Sequence, residues 1–271
     1  MTKDFLRPYE KICIQLFEKL DQKDDDIHLV IRTIEDDILI CGLFYFSKGG
    51  TVLPFFLEKD FDVEMILKDF FSTHFVFCVS GEKSSVDFIS SCIMAAKKQI
   101  MKEKRNFFLM ESSSNPFEKS ANPKICENLF FRQCTKDDSD FLFPLQIAYI
   151  KEEVVPDGIE VNLSAERFTM DKLLKNGKIY AVTDSSKKIL CKVQINGGTD
   201  LYELIGGVFT DSNYRKKGIA TFMMKELKQT LDKKNKKCIL YVNVKNNAAL
   251  SLYEKSGFKI CGDYEIAYWK M

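Results

Sequence analysis

The sequence contains few of the residues on which many active sites depend. Its 271 residues include two histidines, one tryptophan and six prolines. No Cys-x-x-Cys pair and no cluster of cysteine and histidine at metal-ligand spacing occurs, so we predict no metal site. The two histidines, His28 and His74, lie in strand-like patterns and are expected to be structural. The motifs of serine hydrolases, zinc peptidases and P-loop nucleotidases are also missing, which argues against those chemistries.

The sequence also lacks an excess of charge of either sign. Forty Lys and Arg residues against 39 Asp and Glu leave a formal charge of +1. A nearly neutral chain has no overall field that attracts nucleic acid or anionic lipid. No apolar run approaches the roughly 18 residues of a membrane span, and the first residues lack the apolar core of a signal peptide. We therefore expect a cytoplasmic protein that binds neither nucleic acid nor membranes, in which any anion site is formed locally.

Cysteine is present, but not in a pattern that predicts disulfides. The nine cysteines are odd in number, scattered along the chain and mostly inside apolar runs such as ILICGLFYF and KKCILYVNV. They are typical of buried free thiols in a reducing compartment. Because an apolar environment raises the pKa of a thiol, we do not expect a cysteine nucleophile.

The pattern along the chain indicates two domains. Residues 112–128, SSSNPFEKSANPKICEN, have the composition of a linker. We place the boundary near residue 125, which gives domains at 1–125 and 126–271, and the chain length suits two domains. Both halves alternate helices with strands, so we predict mixed α/β structure.

Apolar spacing predicts the elements of each half. In the first half we predict helices at 8–20, 61–72 and 83–103, two strands within 26–46, and strands at 74–81 and 106–112. In the second half we predict helices at 138–154, 164–175, 218–232 and 247–255, and strands at 129–134, 178–183, 189–196, 201–210, 238–244, 258–262 and 264–271.

The stretch NYRKKGIATFMMKEL, residues 213–227, combines cations, a glycine and the start of a helix. The first backbone N–H groups of a helix lack intrahelical partners and lie at the positive end of its dipole. Lys216 and Lys217 precede this end, Gly218 allows close approach of an anion, and Ala220 is small. The stretch therefore predicts a pyrophosphate site, with an ordinary charged surface turn as the alternative.

Two motifs, which follow one another along the chain in the order that the family has, resemble those of the GNAT superfamily of acyl-CoA-dependent N-acetyltransferases. Arg215, Gly218 and Ala220 match its pyrophosphate signature, which here follows a strand-like segment, IGGVFT. About 26 residues later, NNAALSLYEKSGF matches the second motif of the family at Asn246, Ala249, Leu252, Tyr253, Gly257 and Phe258. The resemblance covers residues 126–271 and implies a mostly antiparallel mixed sheet flanked by helices. More narrowly, the chain resembles two-domain bacterial-type predicted acetyltransferases, and residues 1–125 are either a second α/β domain or a degenerate GNAT-like copy.

The resemblance implies that the cofactor is acetyl-CoA. It implies that the pantetheine arm pairs with the strand at 208–210, and that a backbone N–H near Val208 or Phe209 stabilises charge on the thioester oxygen. The cofactor-binding residues it implies are Val208, Phe209, Thr210, Arg215, Lys216, Lys217, Gly218, Ile219, Ala220, Thr221, Asn246 and Tyr253. Asn246 has a second interpretation as the cap of the following helix.

The resemblance also implies catalytic roles for two side chains. Glu203 lies seven residues before Thr210, where several members of the family carry a general base, although a solvated strand glutamate is an equal alternative. Glu152 and Glu153, near the acceptor groove of this fold, are rival candidates for the base. Tyr253 matches the tyrosine that often gives a proton to the leaving thiolate, with a packed aromatic as its alternative.

The function that follows is transfer of an acetyl group from acetyl-CoA to a primary amine, directly in a ternary complex. A non-catalytic CoA-binding sensor or interaction module is the alternative. The acceptor, a small molecule or a peptide, is not determined, because a fold does not fix its substrate. A homodimer through terminal strands is one option for the oligomeric state. Residues 1–125 contain no Arg-x-x-Gly-x-Gly/Ala loop, so we predict that they bind no CoA.

Overall fold

The computed structural model describes residues 2–21, 26–34, 37–97, 99–113, 128–155 and 160–270. The chain divides into two compact units. Unit 1 comprises Met1–Met110, Tyr241–Asn246 and Ile260–Met271, and unit 2 comprises Glu111–Leu240 and Asn247–Lys259. The boundary expected near residue 125 lies outside the described residues and stays a prediction.

The described ranges contain eight α-helices and eleven strands. The helices are α1 (Thr2–Leu6), α2 (Ile14–Asp21), α3 (Phe61–Thr73), α4 (Lys83–Lys97), α5 (Ser139–Tyr149), α6 (Leu163–Lys175), α7 (Ile219–Asp232) and α8 (Asn247–Lys255). The strands are β1 (Ile27–Ile34), β2 (Asp37–Phe46), β3 (Thr51–Phe56), β4 (Cys78–Glu82), β5 (Met101–Ser112), β6 (Phe130–Gln133), β7 (Ile179–Thr183), β8 (Ile189–Gly198), β9 (Tyr202–Thr210), β10 (Lys237–Asn243) and β11 (Phe258–Trp269). A π-helical turn, Ile150–Val154, continues α5. No helix within the described ranges is long and apolar enough to cross a membrane.

Unit 1 contains a sheet with the strand order β1-β2-β3-β4-β11-β5. β1, β2 and β3 pair antiparallel, and β3 and β4 pair parallel over only two positions. α3 begins because Asp60 accepts a hydrogen bond from the Val63 backbone N–H. Val63, Leu67 and Phe71 then follow at helical spacing and are fully buried. Their burial joins α3 to the core that includes β2 and α4.

Unit 2 contains a sheet with the order β10-β9-β8-β7-β6. β6 to β9 pair antiparallel, and β9 pairs parallel with β10. α7 buries Ile219, Met223, Leu227 and Leu231 at helical spacing, whereas Phe222, which the sequence also predicts for this apolar stripe, is only half-buried. In both halves of the chain three antiparallel strands are followed by helix, strand, helix and strand. This order is compatible with a degenerate copy in the first half, which stays a prediction.

The prediction of mixed α/β structure with a mostly antiparallel sheet is confirmed, but several elements differ from their predicted bounds. β3 is absent from the predicted elements, and it contains Pro54, a residue without a backbone donor that is uncommon inside strands. The helix predicted at 83–103 ends at Lys97, and residues 101–106 form a strand whose burial alternates. The two terminal strands are one strand, β11, because Gly262 lies inside it rather than in a turn.

The interpretation of the cysteines as buried thiols is confirmed for the part of the chain that the structure describes. Eight cysteines are free, and all except Cys261 are buried. Burial raises the pKa of Cys134, Cys191 and Cys238 to about 12. These thiols therefore stay protonated at neutral pH and are poor nucleophiles.

A stability prediction arises at the start of α5. The Asp138 carboxylate accepts two hydrogen bonds from the Arg132 guanidinium, at 2.6 and 2.8 Å, and one from the Thr135 backbone N–H at 2.8 Å. We expect Asp138→Asn to lower the free energy of unfolding by about 1–3 kcal/mol, measured by urea denaturation at pH 7. Arg132 lowers the pKa of Asp138, so this contribution is present above the unfolded pKa and is lost as the pH falls through the folded one.

The matched control for this prediction is Asp137→Asn, at the exposed neighbouring position. We expect this variant to stay within about 0.5 kcal/mol of the wild type. Equal losses in both variants would show that the Arg132 pair adds no stability.

Candidate active site

The loop between β9 and α7 leads into the first turn of the helix, and we call this segment, residues 215–221, the cradle. Lys216 and Gly218 both have left-handed backbone conformations, with φ of 61° and 77°. The first helical hydrogen bond runs from the Phe222 N–H to the Gly218 carbonyl. The N–H groups of Ile219, Ala220 and Thr221 therefore lack intrahelical acceptors. Together with the helix dipole they favour an anion at this end of α7.

The three cations of this loop do not act alike. The Arg215 guanidinium forms a bidentate pair with the Glu152 carboxylate, with both distances 2.8 Å, and its Nε donates to the Thr210 carbonyl. This hydrogen bond to Glu152 raises the pKa of Arg215. Lys217 donates to the Asn213 carbonyl at 3.1 Å, and the side chain of Lys216 is exposed. Arg215, predicted to bind the cofactor, thus ties the loop to the turn after α5.

β9 contains a β-bulge just before this loop. Lys192 and Gln194 of β8 pair with Phe209 and Gly206, so the single residue Val193 faces two residues of β9. One of these is Gly207, with φ of 56°. A Cβ there would lie 2.7 Å from the Gln194 side chain. Only glycine fits this position without strain, and the bulge redirects the rest of β9.

Beyond the bulge, one edge of β9 is not paired by β10. The parallel register between the two strands ends at Ile205 and Leu240, whereas β9 continues to Thr210. The Asp211 N–H donates to the Leu190 carbonyl of β8. Because backbone groups alternate between the two sides of a strand, those of Thr210 and Val208 point away from β8. This edge can accept an extended ligand as an added strand.

Tyr149, Tyr253 and Glu153 lie close enough beside the bulge to interact electrostatically. Tyr149, the last residue of α5, contacts Phe209 edge to face at 6.2 Å between ring centroids. Burial raises its pKa, with a backbone hydrogen bond from Gly207 acting against this and Glu153 adding to it. Burial also raises the pKa of Tyr253, and Tyr149, Glu153 and Cys191 raise it further. Glu153 lies in the π-helical turn, a local irregularity that often marks a functional site.

Glu203, the first candidate for a general base, does not join this group. Its carboxylate accepts a hydrogen bond from Lys178 at 3.2 Å, and its backbone pairs with Gly198 and Cys238 at the start of β9. It is not among the titratable neighbours of Tyr253. Asn246 lies in the turn before α8, where its N–H donates to the Asn243 carbonyl.

Lys192 is a residue of this site that the motifs do not include. Its side chain is 1% exposed. Nζ donates to the Gly207 carbonyl at 3.0 Å and lies 4.9 Å from the Tyr149 ring centroid. Burial lowers its pKa to about 7. The signal in the sequence is a single lysine inside the apolar strand ILCKVQI, since an unpaired lysine is almost never fully buried.

A cavity of about 980 Å³ lies along α5, next to Phe209 and Arg215. Its charged lining residues are Arg132, Asp137, Asp138, Glu152, Lys187, Lys188, Asp211 and Arg215. These are four acidic and four basic side chains, so the wall favours neither sign of charge. The apolar lining from α5 and β9 is typical of a small-molecule pocket.

Comparisons with known proteins cover the part of the site formed by β9, the cradle and α8. The family model described as "Acetyltransferase (GNAT) domain" matches residues 175–260. A GNAT-family acetyltransferase from Colwellia psychrerythraea is similar in structure, with a TM-score of 0.60 and 11% identity over 100% of this chain and 98% of that one. A GCN5-related N-acetyltransferase from Sphaerobacter thermophilus has a TM-score of 0.60 and 13% identity over 94% and 84%.

A GCN5-related N-acetyltransferase-like protein from Streptococcus suis has a TM-score of 0.51 and 11% identity over 100% of both chains. At these identities the likeness shows the fold alone. No curated protein matches the chain.

Proposed function

Since residues 175–260 match the family model of the acetyltransferase (GNAT) domain, we propose that the protein transfers an acetyl group from acetyl-CoA to a primary amine. The observation that carries this proposal is the cradle at Gly218 next to the open edge of β9. A helix N-terminus with two left-handed residues suits a pyrophosphate. The strand edge, which continues to Thr210 just before this loop, suits an extended arm.

The residues present fit acetyl-CoA. The N–H groups of Ile219, Ala220 and Thr221 would hold the pyrophosphate, and the exposed Lys216 would add charge. The edge groups of Val208 and Thr210 would hold the pantetheine arm. When bound, the cofactor supplies an acetyl group activated as a thioester. Both ligand-binding features come from backbone geometry, which explains why the two left-handed residues are needed.

The side chains near the bulge suit the proton transfers. We propose Glu153 as the general base, since it is the candidate carboxylate that lies near both Tyr149 and Tyr253. The raised pKa of Tyr253 keeps its phenol protonated, so it can donate a proton to a departing thiolate. The Val208 N–H would stabilise negative charge on the carbonyl oxygen.

The acceptor in this proposal is a small-molecule or peptide amine. A lysine-like amine is almost fully protonated at neutral pH, so a base must act before or during transfer. A cytoplasmic location is also proposed, since the described cysteines are free thiols.

A calorimetric titration with acetyl-CoA tests the proposal, with Gly218→Glu as the variant. We expect the wild type to bind about one molecule per chain. The variant should bind at least about tenfold more weakly, because its carboxylate repels the pyrophosphate and its Cβ strains a left-handed position. Gly218→Asn is the matched control, since asparagine tolerates this conformation and adds no charge.

A screen of amines with mass-spectrometric detection of acetylated product then separates an enzyme from a CoA-binding sensor. Binding without turnover on any amine would support the sensor. No binding by a folded wild type would show that the loop is a surface turn and would refute both.

A further inference from the structure

We propose that Lys192 is a positioning residue for the transfer step, which acts by donating a hydrogen bond to the carbonyl of the Gly207–Val208 peptide. This role rests on the proposed function. The Gly207 carbonyl and the Val208 N–H belong to one planar trans peptide, so they point in opposite directions. Lys192 Nζ lies 3.0 Å from the carbonyl oxygen. The Val208 N–H is therefore directed away from Lys192, on the side proposed for the thioester.

The contact strengthens the N–H as a donor. A hydrogen bond to a peptide oxygen polarises the peptide, and chains of hydrogen bonds reinforce one another in a low-dielectric interior. Lys192 is 1% exposed, so water does not screen this effect. A more polar Val208 N–H stabilises developing negative charge better, which is the largest single contribution in many active sites.

The contact also holds the geometry of the bulge. The Gly207 carbonyl accepts a hydrogen bond from Lys192, and the Gly207 N–H donates one to Tyr149. Lys192 lies 4.9 Å from the Tyr149 ring centroid, so the two side chains also contact each other. A left-handed residue that breaks the ladder between two strands needs such support to keep one conformation.

The cost of burying Lys192 indicates that it is not merely a packing residue. Lys228, a second buried lysine of unit 2, forms an ion pair with Asp232 at 2.6 Å, which is the common way in which the desolvation of a buried lysine is offset. Across the described ranges Lys192 has no carboxylate within ion-pair distance. Its polar partners are Gln194, at 3.4 Å, and the Gly207 carbonyl. A leucine or methionine would fill the position without this desolvation cost, so the donor at Gly207 is the feature that requires a lysine.

Several titratable groups face Lys192 and set its charge. They are Tyr149 on α5, Glu166 on α6, Cys134 after β6 and Cys191 on its own strand. Burial lowers the pKa of Lys192 to about 7, and the nearby Cys191, Cys134 and Glu166 act in the opposite direction. The amine thus changes charge close to neutral pH. The ammonium polarises the Gly207–Val208 peptide more strongly than the neutral amine does.

Nuclear magnetic resonance tests the contact without any turnover. We expect the Val208 amide resonance of the wild type to shift with pH, with a midpoint near 7. The shift should disappear in Lys192→Met and remain in Lys228→Met, the control with a buried lysine removed from α7. A Val208 resonance that does not titrate near neutral pH in the wild type, or that titrates equally in Lys192→Met, overturns the proposal. The wild-type measurement decides even if the variant does not fold.

Steady-state kinetics test the consequence. We expect Lys192→Met to lower kcat by roughly 10- to 100-fold, with the calorimetric Kd for acetyl-CoA within about threefold of the wild type, because the cradle at Gly218 is intact. Lys192→Gln keeps a hydrogen-bond donor without the charge, so its kcat should fall less than that of Lys192→Met. Unchanged kcat in Lys192→Met overturns the role of Lys192, whereas absence of turnover in the wild type and in Lys228→Met overturns the proposed function.

Discussion

Replacing Glu153 by glutamine is expected to lower kcat by roughly two to three orders of magnitude, the usual contribution of a general base. Glu153 is the candidate carboxylate whose charge reaches both Tyr149 and Tyr253. Glutamine has the same shape and cannot accept a proton, so binding of acetyl-CoA should stay within about threefold by calorimetry. The measurement is kcat at pH 7.5 and at pH 9.5 with an amine found in the screen. Higher pH should recover part of the loss, because more of the acceptor is then neutral.

Glu203→Gln is the companion variant, since the sequence favoured Glu203. Its carboxylate is engaged by Lys178 at the start of β9. We expect its kcat to change less than about threefold. A large loss in Glu203→Gln with normal kcat in Glu153→Gln would reverse the assignment of the base.

The unfolding free energy of Lys192→Met is expected to differ from that of the wild type in a strongly pH-dependent way. Burial lowers the pKa of Lys192 from 10.5 to about 7. Between these values the unfolded chain holds a proton that the folded chain has lost, so the wild type gains stability as the pH rises. The unfolding free energy of the wild type minus that of Lys192→Met should increase by about 1.4 kcal/mol per pH unit. This difference should reach roughly 5 kcal/mol in total. Below pH 7 the difference should be constant.

Urea denaturation of both proteins from pH 6 to pH 10 measures this difference. The buried cysteines also titrate at high pH, since burial raises their pKa values. Both folded proteins keep these thiols protonated up to pH 10, and the thiols of the two unfolded chains titrate alike, so their effect cancels in the difference. Lys228→Met, which removes a buried lysine that is paired with Asp232, is measured alongside as the control. A flat difference for Lys192→Met would mean that Lys192 keeps an ordinary pKa or reaches solvent.

The cradle was predictable from the sequence because it is local. Gly218, the helix that follows it and α8 at 247–255 lie where the apolar spacing and the motifs place them. A turn and the first residues of a helix interact within a few positions of the chain, so their residue types determine the geometry. The buried thiols were predictable for a similar reason, since their apolar neighbours lie in the same strands.

The partners of the charged side chains were not predictable in this way. Arg215 and Glu152 are 63 positions apart, and Glu203 and Lys178 are 25 apart. Which of the three glutamates lies beside Tyr149 and Tyr253 depends on packing between α5, β7 and β9. The motifs therefore identified candidates for the base but could not choose among them.

By itself, the sequence determined the α/β class, the positions of α7 and α8 and the glycine loop that precedes α7, because hydrophobic spacing and glycine conformation are properties of short segments. Only the tertiary structure decided that Arg215 pairs with Glu152, that β9 leaves one edge open after its bulge, and that Lys192 reaches the Gly207 carbonyl. The physical reason is that desolvation and ion pairing depend on distances between residues far apart in the chain, which only the folded packing of helices on strands sets.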